Sequence, residues 1–287
     1  MKNNMRIILS MGFCLLISFS GRSQINENKK YLDKIGILDS IYSKTLEEYR
    51  RIYVQFPDDY TPQSNKKYPV VFILDGEVLL PTVKVFQSFY SGGFTPEMIL
   101  VGISNKNHRT RDLTTSKITK KYGMPFNEEN GEANNFSDFL EKELIPFIEN
   151  TYPVTNFRTL IGHSYGGLFT INTLVNHPQL FSNYLAIDPS LDWDDQKLLK
   201  DSEDKLANGN YKGKALFMSL NGQLHMQNSQ ITIDNVMKDT TDFTLFARSN
   251  IAFSKLVKQN TKNGLSCEWK FYPRDIHGTI AFPSIMD

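Results

Sequence analysis

Five short runs of consecutive apolar, β-prone residues constrain this chain more than anything else in it. They are 70–74 (VVFIL), 99–103 (ILVGI), 159–161 (TLI), 184–187 (YLAI) and 215–220 (ALFMSL). A strand that is apolar at successive positions is buried on both faces, which is the situation of strands in a parallel sheet covered by helices. Two further segments, 51–56 (RIYVQF, closed by Pro57) and 267–272 (CEWKFY), alternate and read as half-buried strands. Helical segments fall between the strands. In 136–149 the apolar residues Phe136, Phe139, Leu140, Leu144, Phe147 and Ile148 recur near helical spacing. Segments 168–176, 196–206 and 243–260 are the others, the last stopped by Gly264. This alternation predicts an α/β fold: a mostly parallel central sheet with helices on both faces and right-handed connections. The polar stretch 120–135 reads as a mobile surface loop.

The N-terminus reads differently. Lys2 and Arg6 precede an apolar run, 7–19, followed by Ser20, Gly21 and Ser23. That is the layout of a secretory signal peptide, so residues 1–23 are expected to be a cleaved leader and residues 24–287 one domain, periplasmic or secreted. The run is too short to span a bilayer, and bulky Phe13 before Cys14 argues against lipidation, so no stable membrane anchor is expected. Loss of the leader leaves Cys267 as the lone cysteine, which excludes an intrachain disulfide, and no Cys/His cluster offers a zinc site. With Lys+Arg 32 against Asp+Glu 31, the net charge of +1 offers nothing to neutralise a phosphate backbone, and nucleic-acid partners are excluded.

The chemistry is concentrated at Gly162-His163-Ser164-Tyr165-Gly166-Gly167. A G-x-S-x-G pentapeptide is weak evidence alone, but here a strand precedes it and an apolar helical run follows. The chain must turn sharply there, and glycines at the flanking positions make room for the turn. The hydroxyl of Ser164 then projects at a helix N-terminus, where developing negative charge is favoured. A serine nucleophile needs a base. Of His108, His163, His177, His225 and His277, the last follows the final strand, where the base falls in chain order in such folds. His225 is a distant second choice.

From about Arg50 onward the chain resembles the putative-esterase family of α/β-hydrolases, which includes enterochelin-type siderophore esterases, feruloyl esterases and relatives of formylglutathione hydrolase. The resemblance is carried by RIYVQFPDDY (51–60), FILDG (72–76), NKNHRTRDLT (105–114), IGHSYGG (161–167), AIDPSLDWD (186–194) and YPRDIHGT (272–279). It implies an α/β-hydrolase fold and an oxyanion hole made by the backbone N–H groups of Glu77 and Tyr165. It also implies an acid soon after the strand ALFMSL, and there the sequence departs: Asn221-Gly222-Gln223-Leu224-His225 holds no carboxylate. Three alternatives stand open: Asp188 in an Asp-Pro turn, a loop carboxylate (Asp234, Asp239 or Asp242), or a Ser-His dyad without an acid.

Arg109 and Arg111 either bind a substrate anion or brace their loop against Asp112 and other acids, with bracing favoured. Trp193, Tyr90, Phe94 and Tyr165 are candidates for an aromatic wall. The reading is an exported serine esterase with Ser164, His277 and Asp188 as its triad. Its partner is a small-molecule ester, of the acyl-carbohydrate or siderophore type, and no metal or organic cofactor is called for. A non-catalytic ligand binder on the same scaffold and an acyltransferase using the same nucleophile are the alternatives.

Overall fold

The computed structural model describes residues 37–58, 60–63, 65–225 and 227–287; the expected leader, residues 1–23, lies outside them. Eight strands form one sheet: β1 (Ile37–Ser43), β2 (Glu48–Gln55), β3 (Tyr68–Ile73), β4 (Ile99–Ile103), β5 (Val154–His163), β6 (Asn183–Ile187), β7 (Ala215–Asn221) and β8 (Ser266–Tyr272). Their spatial order is β1-β2-β4-β3-β5-β6-β7-β8. β2 runs antiparallel to β4, while the neighbouring pairs from β4 across to β8 are parallel. The five continuous apolar runs fall on β3 to β7 as their double-sided burial requires.

Eight helices are described: α1 (Gly76–Tyr90), α2 (Arg109–Leu113), α3 (Ala133–Phe139), α4 (Ile145–Thr151), α5 (Tyr165–Asn176), α6 (Trp193–Asn208), α7 (Leu245–Gln259) and α8 (Ala281–Met286). A π-helical turn, Leu140–Leu144, joins α3 to α4. The sheet separates two apolar cores. Val70, Phe72 and Leu74 enter the core shared with Phe136 and Phe139 of α3, Phe169 of α5 and Phe253 of α7. Their neighbours Val71 and Ile73 enter the other, with Leu79 and Val83 of α1 and Ile285 of α8. The strict alternation is the period of a strand, and it puts helices on both faces. Among the described residues no helix is long and apolar enough to cross a membrane.

Three features depart from the sequence reading. Helix α1 was not expected, because Pro81 sits inside it and interrupts a helical pattern. The polar stretch 120–135 is tied down rather than loose. Lys120–Lys121 and Met124–Pro125 pair as a short hairpin, and the buried Asn130 amide bonds Ile118 N at 2.8 Å and Ile118 O at 3.1 Å. Helix α6 opens with three left-handed residues, Asp194 (φ 50), Asp195 (φ 49) and Gln196 (φ 67).

The chain's order places the site. From β3 it steps outward to β4, then returns to lay β5 on the other side of β3. The turns leaving β3 and β5 therefore lie side by side at the carboxyl edge, where open α/β sheets place their ligands.

Candidate active site

Ser164 stands between β5 and α5 with φ 61 and ψ −116, a conformation costing a non-glycine residue about 1–3 kcal/mol. Neighbouring backbone holds it there. Ser164 N donates to Ile187 O at 3.0 Å, and Ser164 O accepts from Leu168 N at 2.9 Å and Ser190 N at 3.1 Å. Gly162 and Gly167 are required by space, while a Cβ at Gly166 would come no closer than 3.6 Å to its neighbours. A Cβ at position 162 would lie 2.2 Å from Gly166 O, and one at 167 would lie 2.9 Å from Ile187 O. The second approach presses α5 onto the turn that carries Asp188. The hydroxyl of Ser164 lies 3.4 Å from that of Ser190.

Asp188 ends β6 in a left-handed conformation (φ 46) and is fully buried. Its Oδ2 lies 2.6 Å from His277 Nδ1, which arrives from the loop after β8. Asn221, at the tip of β7, donates its backbone N–H to Asp188 Oδ1 at 3.0 Å and its side-chain amide to Oδ2 at 2.6 Å. The strand end where the family pattern called for an acid thus carries a residue that orients the neighbouring strand's acid. The loop aspartates are engaged elsewhere or exposed. Asp239 accepts from Thr241 and Thr244 ahead of α7, Asp234 is exposed, and Asp242 lies at the rim of the cavity.

The His277 ring is partly exposed where Asp188 is not, so the pair runs from core to surface. It opens onto a cavity of about 710 Å³ whose wall also holds Ser164, Tyr165 and Ser190. The rest of the wall is apolar in large part, with Leu224, Phe243, Phe246 and Ala247. The ring of Phe246 meets that of His277 edge-on at 5.4 Å. His163 packs its ring 4.6 Å from that of His277. Burial, the facing His277 and Arg109 lower its pKa to about 4, so it is neutral at ordinary pH. His163, Asp188 and His277 present two imidazoles and a carboxylate within 4.8 Å of one another, a set that a divalent cation could use. The Asp188 oxygens already accept from Asn221 and face His277, which suits orienting an imidazole rather than ligating an ion. The other imidazoles serve locally: His225 Nδ1 accepts from Gln227 N and Asn228 N at 3.0 Å each, and His108 lies against Glu48 at 3.3 Å.

Arg109 braces rather than reaching for a ligand. It forks onto Asp75 at 2.9 and 3.0 Å and donates to His163 O at 3.1 Å. It thereby clamps the turn leaving β3 to the turn leaving β5. Tyr165 lines the cavity, with Arg109 over its ring at 5.4 Å and Lys121 at 5.0 Å. Glu77, in the first turn of α1, does not line that cavity; its carboxylate accepts from Ser104 Oγ at 3.0 Å and borders a separate one. Of the aromatic candidates, Trp193 is buried edge-on behind Tyr165 at 5.3 Å. Tyr90 and Phe94 pair with each other at 6.2 Å near the far end of α1 and do not border the cavity. Phe243 and Phe246 take that place. They lie on a single 3-10 turn, Asp242–Thr244, and the first turn of α7, where nothing in the sequence distinguishes them from core residues.

The sheet order, the strained serine between strand and helix and the buried acid facing a late histidine are features of an α/β-hydrolase. The chain belongs to the family described as Putative esterase, which matches residues 43–260. It is 30% identical over 173 residues to the ferri-bacillibactin esterase BesA of Bacillus subtilis (strain 168), covering 54% of this chain and 59% of that protein. It is 29% identical over 177 residues to a siderophore enterobactin esterase of Emericella nidulans, covering 57% of each. The chain thus spans less than two thirds of the length of either relative. Among solved structures, an IroE-like serine hydrolase from Shewanella oneidensis aligns with a TM-score of 0.75 and 31% identity, over 87% of this chain and 77% of that one. The siderophore hydrolase EstA of Aspergillus nidulans shares the fold, with a TM-score of 0.73 at 22% identity over 88% of this chain and 92% of that one.

Proposed function

We propose that this chain is a serine esterase in which Ser164 attacks the carbonyl of a small-molecule carboxylic ester. His277 takes the hydroxyl proton and passes it to the leaving alcohol. The acyl-Ser164 ester is then hydrolysed by water that His277 deprotonates. Asp188 fixes the imidazole with its proton on Nδ1 and stabilises the imidazolium formed on attack. The observation that carries this reading is the 2.6 Å contact between buried Asp188 and His277, facing the cavity into which the strained Ser164 opens. The Ser164 hydroxyl here lies 3.4 Å from that of Ser190, and its bond to His277 Nε2 is expected to form as substrate excludes water.

The amide of Tyr165, at the N-terminus of α5, is assigned to the oxyanion. The amide of Glu77 is assigned as its partner, since it belongs to the turn that Arg109 clamps against the elbow. The relatives' names point to esters of siderophores as the substrate class, and the leader-like N-terminus to work outside the cytoplasm. The test is Ser164→Ala. It is expected to abolish turnover of p-nitrophenyl acetate and labelling by a fluorophosphonate while leaving the thermal midpoint near that of the parent. Turnover that persists in this variant would reject the assignment.

A further inference from the structure

The cavity wall carries one lysine and no arginine among the described residues. That lysine, Lys121, sits on the short hairpin formed by Lys120–Lys121 and Met124–Pro125. Its ammonium lies over three aromatic rings, Tyr165 at 5.0 Å, Tyr122 at 5.3 Å and Trp193 at 5.4 Å, and donates to Tyr165 Oη at 3.1 Å. Among the described residues no carboxylate lies within ion-pair distance of it. Ring faces hold a cation in place without neutralising it. An ammonium has three donors, so two remain beyond the bond to Tyr165.

The hairpin is latched by its own tip. Tyr122 donates its hydroxyl to Asp192, a wall carboxylate only 4% exposed. Burial and the neighbouring Asp192 push the Tyr122 pKa well above its usual value, so the phenol stays protonated and the latch stays made. Asp192 thereby has its Oδ2 engaged with Tyr122 and its Oδ1 buried without a hydrogen-bond partner, and the other wall carboxylate, Asp242, is exposed at the rim. The charge offered to a ligand from this hairpin is positive. It sits beside Tyr165, the residue next to the nucleophile, so a group bound to it shares the cavity with the ester.

We infer that Lys121 is a specificity-determining residue that binds a negatively charged group on the ester, so that the cavity selects anionic esters over neutral ones of the same size. This rests on the esterase reading given above. A lysine serving only to hold the hairpin would affect stability and all substrates alike. A lysine that reads charge changes the ratio between matched substrates.

The experiment compares p-nitrophenyl hemisuccinate, which is singly charged, with its neutral methyl ester in the parent, Lys121→Met and Lys121→Arg proteins. The parent is expected to favour the anion in kcat/KM, and Lys121→Met to lose about tenfold on the anion alone, as for a part-exposed charge-assisted hydrogen bond. Lys121→Arg should restore most of the preference. Equal losses on both esters, or no preference in the parent, would overturn the inference. Turnover of p-nitrophenyl acetate reports separately on the esterase reading. Should that fail, calorimetric binding of the two esters to the Ser164→Ala protein still decides. Tighter binding of the anion that disappears with Lys121→Met supports the inference, and equal binding of the two rejects it.

Discussion

Two side chains at the carboxyl edge show how neighbours decide what a side chain can do. Asp188 is fully buried and receives two donors from Asn221 before it meets His277. In Asp188→Asn the amide still fills the site, but the imidazole loses the acceptor that keeps its proton on Nδ1. A loss of about 10⁴ in kcat is expected on the triad reading, with KM little changed, measured with p-nitrophenyl acetate. A variant retaining near-parental kcat would favour the dyad alternative. Asn221 also removes the motive for a non-catalytic scaffold, since the strand end without an acid has work to do as a donor. His163 is set by burial and by its neighbours. Its pKa lies near 4, below the ordinary value of about 6.5 for an unfolded histidine. The unfolded chain therefore binds more protons than the folded one between these values. Stability contributed by the neutral ring is complete above about pH 6.5 and is lost as pH falls toward 4. His163→Gln should flatten that part of the pH–stability curve by about 2–3 kcal/mol, read from urea midpoints between pH 7 and pH 4.5.

At the scale of elements, the opening of α6 is the most unusual segment. Asp194, Asp195 and Gln196 are all left-handed, which costs L-residues roughly 1–2 kcal/mol each. The turn is anchored at both ends. Trp193 donates its indole N–H to Ser116 O at 2.9 Å, and Gln196 donates its amide to Ser249 Oγ at 2.8 Å. It places Asp192 and Trp193 beside the cavity before the helix runs on. Asp195→Gly relieves one strained residue without touching either anchor. It should raise stability by about 0.5–1 kcal/mol, a gain of roughly 2 °C in a thermal melt. A fall in the midpoint would mean that the Asp195 side chain contributes more than its backbone costs.

Strands β3 to β7 were legible because double-sided burial writes itself as continuous apolar runs, and a strand-turn-helix and chain order singled out Ser164 and His277 as candidates. Helix α1 was hidden by Pro81, β1 by its exposure, and the cavity's aromatic wall by residues that meet only in three dimensions. Asp188 stood among open alternatives because its neighbours, Asn221 at a strand end and His277 on a loop, lie 33 and 89 residues away.

At the scale of the whole molecule, a buried polar chain connects the antiparallel side of the sheet to the elbow. Arg50 of β2 reaches Asp112 of α2 at 2.8 Å, and Arg111 binds the other Asp112 oxygen at 2.8 Å and Glu48 at 3.0 Å. Asn105 links Asp112, at 3.4 Å, to the amide of Asp75 at 3.2 Å, and Arg109 carries the connection from Asp75 to His163 O. Arg50 is 4% exposed and Asp112 fully buried, so this is interior electrostatics, where removing Arg50 leaves the buried carboxylate with Arg111 as its remaining cation. Arg50→Met keeps the volume and removes the charge. It is expected to cost about 3–5 kcal/mol, lowering the thermal midpoint by roughly 10 °C. The pH dependence separates this cause from lost packing. Burial already holds Asp112 above its usual carboxylate range against the pull of Arg50 and Arg111. Without Arg50 its folded pKa rises further above the unfolded value, so the folded variant binds extra protons as pH falls. The deficit relative to the parent should therefore be largest near pH 7 and shrink toward pH 4.5. A deficit independent of pH would assign the loss to packing, and the polar chain would then carry no charge coupling between sheet edge and elbow.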